Sequence, residues 1–256
     1  MSDIHFVGGE KGGVGKSVIA RLLTQYFIDH ARSFKALDAD ASHGALLRFY
    51  ADYSKAISLQ NSDDTDQIMQ LAVEENQTVL VDLPSQSKKS LNDWLSENEI
   101  LTLAQENNVN VVFWHVMDDS VDASNLLLDT MNHASNLAKY VIVKNYGRGE
   151  DFSQFEGSVL EQEAINRGAQ IISINALQSA TMRKIDRLNC SFWAAANNSN
   201  SRASECLGLM ERQRVKSWLK NSYQQIAQAL NATKQRENQV TISEVQTIVR
   251  PYLTSV

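Results

Sequence analysis

The stretch Gly8-Gly9-Glu10-Lys11-Gly12-Gly13-Val14-Gly15-Lys16-Ser17 lies between an apolar run, residues 4 to 7, and a segment of helical periodicity. That order predicts a strand, a glycine loop and a helix. Glycines let the backbone turn sharply and aim successive N–H groups at one point, where the start of a helix adds the positive end of its dipole. Such a loop cradles a phosphate. Lys16 then supplies charge to the β- and γ-phosphates of a nucleotide, and Ser17 a hydroxyl for a magnesium ion. At roughly 4 Å and an effective dielectric near 20, one lysine–phosphate pair is worth about 4 kcal/mol before desolvation.

Outward from the loop, Ile19, Leu22, Leu23, Tyr26 and Phe27 fall on one side of a helix running to about residue 31. A strand over 34 to 37 ends in Asp38-Ala39-Asp40, and carboxylates at the end of such a strand lie on the ligand edge of an open α/β sheet. Asp40 there either reaches the magnesium or caps the helix starting near Gly44. Residues 54 to 66 read as a polar loop and 66 to 75 as a helix. The run 78 to 83 reads as a buried parallel strand with Asp82 at its tip, placed to hold magnesium, usually through a water. Further helices are expected at 91 to 104, 121 to 137, 157 to 167 and 180 to 188, and strands at 109 to 117, 140 to 145 and 170 to 174. His115 reads as a satisfied strand residue, and Asp118 and Asp119, at the ligand edge, either face a partner or nucleotide or form the turn before the next helix. Six or seven strands alternating with helices make a doubly wound, mainly parallel α/β sheet.

The 256 residues carry 43% apolar and 21% charged side chains, an ordinary globular balance that one domain can serve, and no run is apolar enough to span a bilayer. A cytoplasmic protein with no membrane insertion is expected. Cys190 and Cys206 have no C-x-x-C spacing and read as reduced thiols, so no iron–sulfur site is expected. Residues 1 to 182 hold 13 Lys and Arg against 25 Asp and Glu, a net −12, whereas 183 to 256 hold 11 against 5, a net +6. Such asymmetry points to an anionic partner for the last third, or simply to a solvated helix face.

The strict pattern G-x-x-x-x-G-K-[ST] needs a glycine where Glu10 stands. With lysines on both sides of its glycines, Lys11 to Ser17 instead resembles the deviant Walker A motif of the ParA/MinD family of P-loop ATPases. Asp38-Ala39-Asp40 matches that family's switch I, although Ala41-Ser42-His43 replaces the usual Pro-Gln, and the strand ending in Asp82 matches Walker B, although Ser85-Gln86 departs from the usual glycine-bearing switch II. Residues 42 to 50 and 114 to 119 look like the family's plasmid stability and mobilisation proteins. The resemblance covers roughly residues 4 to 145. It implies a P-loop NTPase fold of the SIMIBI type, ATP and Mg2+ as cofactors, and slow ATP hydrolysis. Gly12, Gly13, Val14, Gly15, Lys16 and Ser17 would bind the phosphates, with Asn145 near the adenine. Ser17, Asp40 and Asp82 would converge on the metal, and Asp40 would position water. Lys11 would reach across an ATP-dependent homodimer to the partner's phosphates, in a cycle serving an unidentified cargo or activator protein in partition or mobilisation.

Within one domain of residues 1 to 256, residues 202 to 256 form a helical C-terminal extension. There Val215, Leu219, Tyr223, Ile226 and Leu230 share a helix face, beside Arg212, Lys216 and Lys220 recurring every four residues. With Arg183, Lys184 and Arg187 these are candidates for a non-specific duplex-DNA surface. Residues 197 to 201 read as a polar loop, and Thr241-Ile242-Ser243-Glu244 as the capping box of a separate final helix stopping at Pro251. Two other functions fit the same motifs: a P-loop metabolic enzyme such as a synthase or kinase, and an ATP-binding scaffold that barely hydrolyses.

Overall fold

The first strand, β1 (Asp3–Gly8), buries Val7 on one side and Ile4 and Phe6 on the other. A strand covered on both faces reads as an unbroken apolar run, the mark of a parallel sheet between helix layers. The computed structural model describes residues 2–40, 44–132, 136–199 and 206–249. After β1 come α1 (Lys16–Asp29), β2 (Phe34–Asp38), α2 (Ala45–Phe49), β3 (Ser54–Ala56), α3 (Ser62–Val73) and β4 (Thr78–Asp82). The middle of the chain adds α4 (Lys88–Glu97), α5 (Ile100–Glu106), β5 (Asn110–Met117), α6 (Val121–Asn132) and β6 (Lys139–Asn145). The last part holds α7 (Val159–Asn166), β7 (Gln170–Ile174), α8 (Ser179–Leu188), α9 (Phe192–Asn197) and α10 (Leu209–Val249).

The seven strands form one all-parallel sheet in the order β3-β2-β4-β1-β5-β6-β7. The chain winds outward from β1 through β2 to β3, returns to place β4 beside β1, and then builds the other half. The expected doubly wound sheet with a helical C-terminal segment is therefore present. One face packs Leu22, Phe27, Phe192, Val215 and Ile226 of α1, α9 and α10 against Trp114, Val141 and Ile172. The other packs Ile68, Leu91, Trp94 and Ile100 of α3, α4 and α5 against Ile4, Phe6, Val79 and Val111. All strands end on one edge, so the segments after β1, β2, β4, β5, β6 and β7 meet there.

Several local expectations are corrected. The helix expected over 91 to 104 is two, because Glu99 takes a left-handed conformation (φ 48°) that breaks it. The supposed loop at 54 to 66 contributes edge strand β3 and the start of α3, whose cap is Asn61, accepting from Asp63 N–H at 3.0 Å. The helix expected from 157 starts at Val159, since Gly157 is left-handed (φ 72°) and Ser158 is the cap. The short helix α9 has no counterpart among the expected elements; its Phe192 is fully buried. The capping box at 241 to 244 opens no new helix: with no Gly or Pro between 209 and 249, α10 runs straight through it. Residues 41–43, 133–135, 200–205 and 250–256, with parts of the helix expected over 121 to 137 and of the polar loop, and the stop at Pro251, lie outside the described residues; Leu137, the expected helix end, is in a turn. Val215, Leu219, Ile226 and Leu230 of the expected helix face are buried, and neither Cys190 nor Cys206 is in a disulfide.

Candidate functional site

The loop between β1 and α1 is shaped by two glycines whose neighbours leave no room for a side chain. A Cβ on Gly9 (φ 147°) would sit 2.5 Å from the Val116 carbonyl oxygen, and one on Gly15 (φ 94°) 2.3 Å from Asn145 Nδ2. Left-handed Gly15 is the N-cap of α1 and provides no side-chain cap, and the first turn of α1 holds no acidic residue. Amides at this helix start are thus left to a ligand, at the positive end of a 14-residue helix. The geometry is that of an anion cradle.

Lys16 stands inside it, 7% exposed, with Nζ donating to the Lys11 carbonyl at 3.1 Å and to Ser85 Oγ at 2.7 Å. Burial lowers its pKa, while Asp82, Asp40 and Glu10 counteract. Asp82 is completely buried, and neither carboxylate oxygen has a hydrogen-bond partner among the described residues. Burial first, and then the Asp38 and Asp40 charges, push its carboxyl up to about 8; Ser17 tempers this without a hydrogen bond of ordinary geometry, and Lys16 also pulls downward. An orphaned buried carboxylate beside a P-loop hydroxyl fits a cation. Ser17 and Asp82 are the residues that suit one, and Asp40 lies within electrostatic reach of both Asp82 and Lys16. Among the described residues no three His, Cys, Asp or Glu side chains cluster as a metal site.

Asp38 ties the β2 end to α2 through its side chain, beside the Asp40 carbonyl, which accepts from Gly44 N–H at 2.8 Å. Asp38 Oδ2 accepts from Leu46 N–H at 2.8 Å and Leu47 N–H at 3.2 Å, and its Oδ1 from Asp40 N–H at 3.1 Å. Burial raises the Asp38 pKa against those three donors. Asp38 also sits in register with Asp82 across the β2–β4 pair. Asp40 is half-buried.

Lys11 is folded back onto its own chain: Nζ donates to Asp118 Oδ2 at 2.8 Å and to Ser120 Oγ at 2.7 Å. Burial opposes the shift at Asp118, but the Lys11 and Ser120 hydrogen bonds hold its carboxyl below the usual range. Asp119 instead accepts from Glu150 and Asp151 N–H. Asn145 braces the loop rather than pointing outward, with Nδ2 donating to the Val14 carbonyl at 2.7 Å and Oδ1 accepting from Gly147 N–H at 3.0 Å. Glu10, where the strict motif has glycine, accepts from Lys88 N–H at 3.0 Å and so couples the loop to the start of α4. Between them, Gln86 adopts φ 61°, a conformation that glycine takes at no steric cost.

The roles of Ser85, Glu10, Asp38 and the Asp118–Ser120 pair escape a sequence reading. Glu10 and Ser85 stand out in the sequence as departures from the motifs and Asp38 as part of Asp38-Ala39-Asp40, but what each of them holds depends on which strand ends meet. The six residues expected on a basic surface lie on α8 and α10. Lys184 pairs with Glu211 at 2.7 Å, which joins α8 to α10, and Arg212 donates to the Leu207 carbonyl at 2.7 Å. Arg183, Arg187, Lys216 and Lys220 remain exposed. Two of the six cations thus also serve the helix junction.

No protein-family profile matches the chain. It is 26% identical over 175 residues to Protein MobD of Acidithiobacillus ferrooxidans, across 66% of this chain and 76% of that protein. It is also 26% identical over 246 residues to a Protein TraL of Escherichia coli, across 88% and 98% of the two chains. Among solved structures, a nucleotide-binding protein of Archaeoglobus fulgidus in complex with ADP aligns at TM-score 0.43 and 17% identity, over 73% of this chain and 86% of that one. The signal recognition particle receptor FtsY of Elizabethkingia anophelis aligns at 0.39 and 13%, over 85% and 65%. No helix among the described residues is long and apolar enough to cross a membrane.

Proposed function

We propose that this chain binds ATP with magnesium at the loop from Gly9 to Ser17, hydrolyses it slowly, and uses the bound state to form a homodimer that times a step in plasmid mobilisation or partition. The observation that carries the reading is the uncapped start of α1 facing buried Lys16 and the partnerless carboxylate of Asp82. The similarity to MobD and TraL supports the mobilisation branch of the family resemblance.

The amides of residues 12 to 17 hold the phosphates, and Lys16 exchanges Ser85 and the Lys11 carbonyl for phosphate oxygens. Ser85 follows Walker B, so its release reports the terminal phosphate to α4. Ser17 and Asp82 would hold the magnesium ion, which neutralises charge between the β- and γ-phosphates. Asp40 orients the attacking water. Lys11 leaves Asp118 and Ser120 to meet the partner's phosphates, which makes assembly depend on the triphosphate. The exposed cations of α8 and α10 contact duplex DNA without reading sequence.

Sedimentation with ATP and magnesium tests this. Wild type is expected to dimerise, Lys16→Ala to lose ATP, Lys11→Ala to bind ATP as a monomer, and Asp40→Ala to stay dimeric with hydrolysis lost. Normal dimerisation of Lys11→Ala, or phosphate release stimulated by a small substrate without dimerisation, would overturn the reading.

A further inference from the structure

On the sheet face away from α1, a cavity of about 440 Å³ opens beside α4. Its floor is a ladder of three rings from neighbouring strands, with Phe6 in register with Phe113 and Phe113 with Tyr140. Centroids of the successive stacked rings are 5.2 and 5.4 Å apart. Phe113 and Tyr140 keep part of their surface open, as does Leu95 of α4 on the wall. Apolar surface left open in a concavity of this size is the ordinary make-up of a small-molecule site, roughly 300–1,000 Å³.

Among the polar side chains on the lining, His115 lies beside the ring ladder, two residues on from Phe113 along β5. His115 is 7% exposed, and its ring makes no hydrogen bond among the described residues. Burial, with the charges of Lys16 and Lys88, pushes its pKa down to about 4, so the imidazole is neutral and offers one donor and one acceptor. That positive field disfavours a cation beside it. Glu10 and Glu99 on the wall disfavour an anion, and the Lys88 ammonium is paired with Asp129.

We propose that this cavity is a binding site for a small, uncharged, ring-bearing molecule that packs on the Phe6–Phe113–Tyr140 ladder and hydrogen-bonds the His115 imidazole. The inference stands on the cavity and not on the nucleotide reading.

The test is a fluorescence titration with N-phenyl-1-naphthylamine, an uncharged amine that bears a phenyl and a naphthyl group. Wild type is expected to give a saturable, one-to-one enhancement, with binding weakened about tenfold or more in Ser96→Trp, which fills the cavity from an exposed position on α4. Thr102→Trp fills it from α5 and serves as an independent second variant; circular dichroism melting checks that both fold. His115→Phe is expected to weaken binding about threefold or more through the lost hydrogen bond. The anionic analogue 8-anilino-1-naphthalenesulfonate is expected to bind more weakly than the neutral probe. Absence of saturable enhancement in wild type, unchanged affinity in folded Ser96→Trp and Thr102→Trp, unchanged affinity in His115→Phe, or tighter binding of the sulfonate would each overturn the proposal.

Discussion

Asp82 carries a carboxyl pushed from 3.8 up to about 8. Between those values the folded chain keeps a proton that the unfolded chain has released, so Asp82 lowers stability as pH rises through that window. His115 acts the other way over a lower range: with its pKa pushed from 6.5 down to about 4, it adds stability as pH rises from 4 to 6.5. Comparing Asp82→Asn with wild type, free of nucleotide and metal, isolates the first effect. The variant is expected to melt several degrees higher at pH 8, with the gap shrinking towards pH 5; thermal melts across that range check it. Asn145 is held by packing and by two hydrogen bonds. Gly15→Ala would drive a Cβ to 2.3 Å from its amide at φ 94°, adding about 1–2 kcal/mol of backbone strain and displacing Asn145. Asn145→Ala leaves the Val14 carbonyl and Gly147 N–H without their partner, a loss of about 1–3 kcal/mol. Both variants are expected to melt lower and bind ATP more weakly, as read by melting and nucleotide titration.

Among the elements, β1, the loop and α1 were legible in the sequence because apolar run, glycines and helical spacing agree on one strand–turn–helix unit. The parallel core strands were legible too, since burial on both faces makes them unbroken apolar runs. What stayed hidden has physical causes. Glu99 breaks a helix without being Gly or Pro, and α9 is fixed by burying Phe192 against Trp218 (5.0 Å between ring centroids), a contact no local signal encodes. In the site, Lys16, Ser17 and Asp82 were legible as motif residues. The grip of Asp118 on Lys11 was not, because it joins the ends of two strands 107 residues apart in sequence. That grip gives a prediction for the loop: Asp118→Asn weakens the hold on Lys11, so ATP-dependent dimerisation is expected at several-fold lower protein concentration. Concentration-series sedimentation decides this, and an unchanged midpoint would speak against release of Lys11 as a step in assembly.

For the molecule as a whole, the negative first two-thirds carry the loop and the positive last third supplies α10 and the exposed cations of α8. If Arg183, Arg187, Lys216 and Lys220 each neutralise one phosphate, log affinity for duplex DNA falls with log salt at a slope of about 3–4, and replacing any two by Ala lowers that slope by about 2. Filter binding over a salt series reads this directly, and a slope near zero would remove DNA from the partners. Beneath dimer, DNA and cargo lies a single requirement, that the loop from Gly9 to Ser17 takes a nucleotide's phosphates. Isothermal titration of the purified protein with ATP and magnesium measures it. Saturable heat at one site per chain, lost in Lys16→Ala with its melting temperature retained, is the result expected; no heat in wild type, or equal heat in a folded Lys16→Ala, would contradict it.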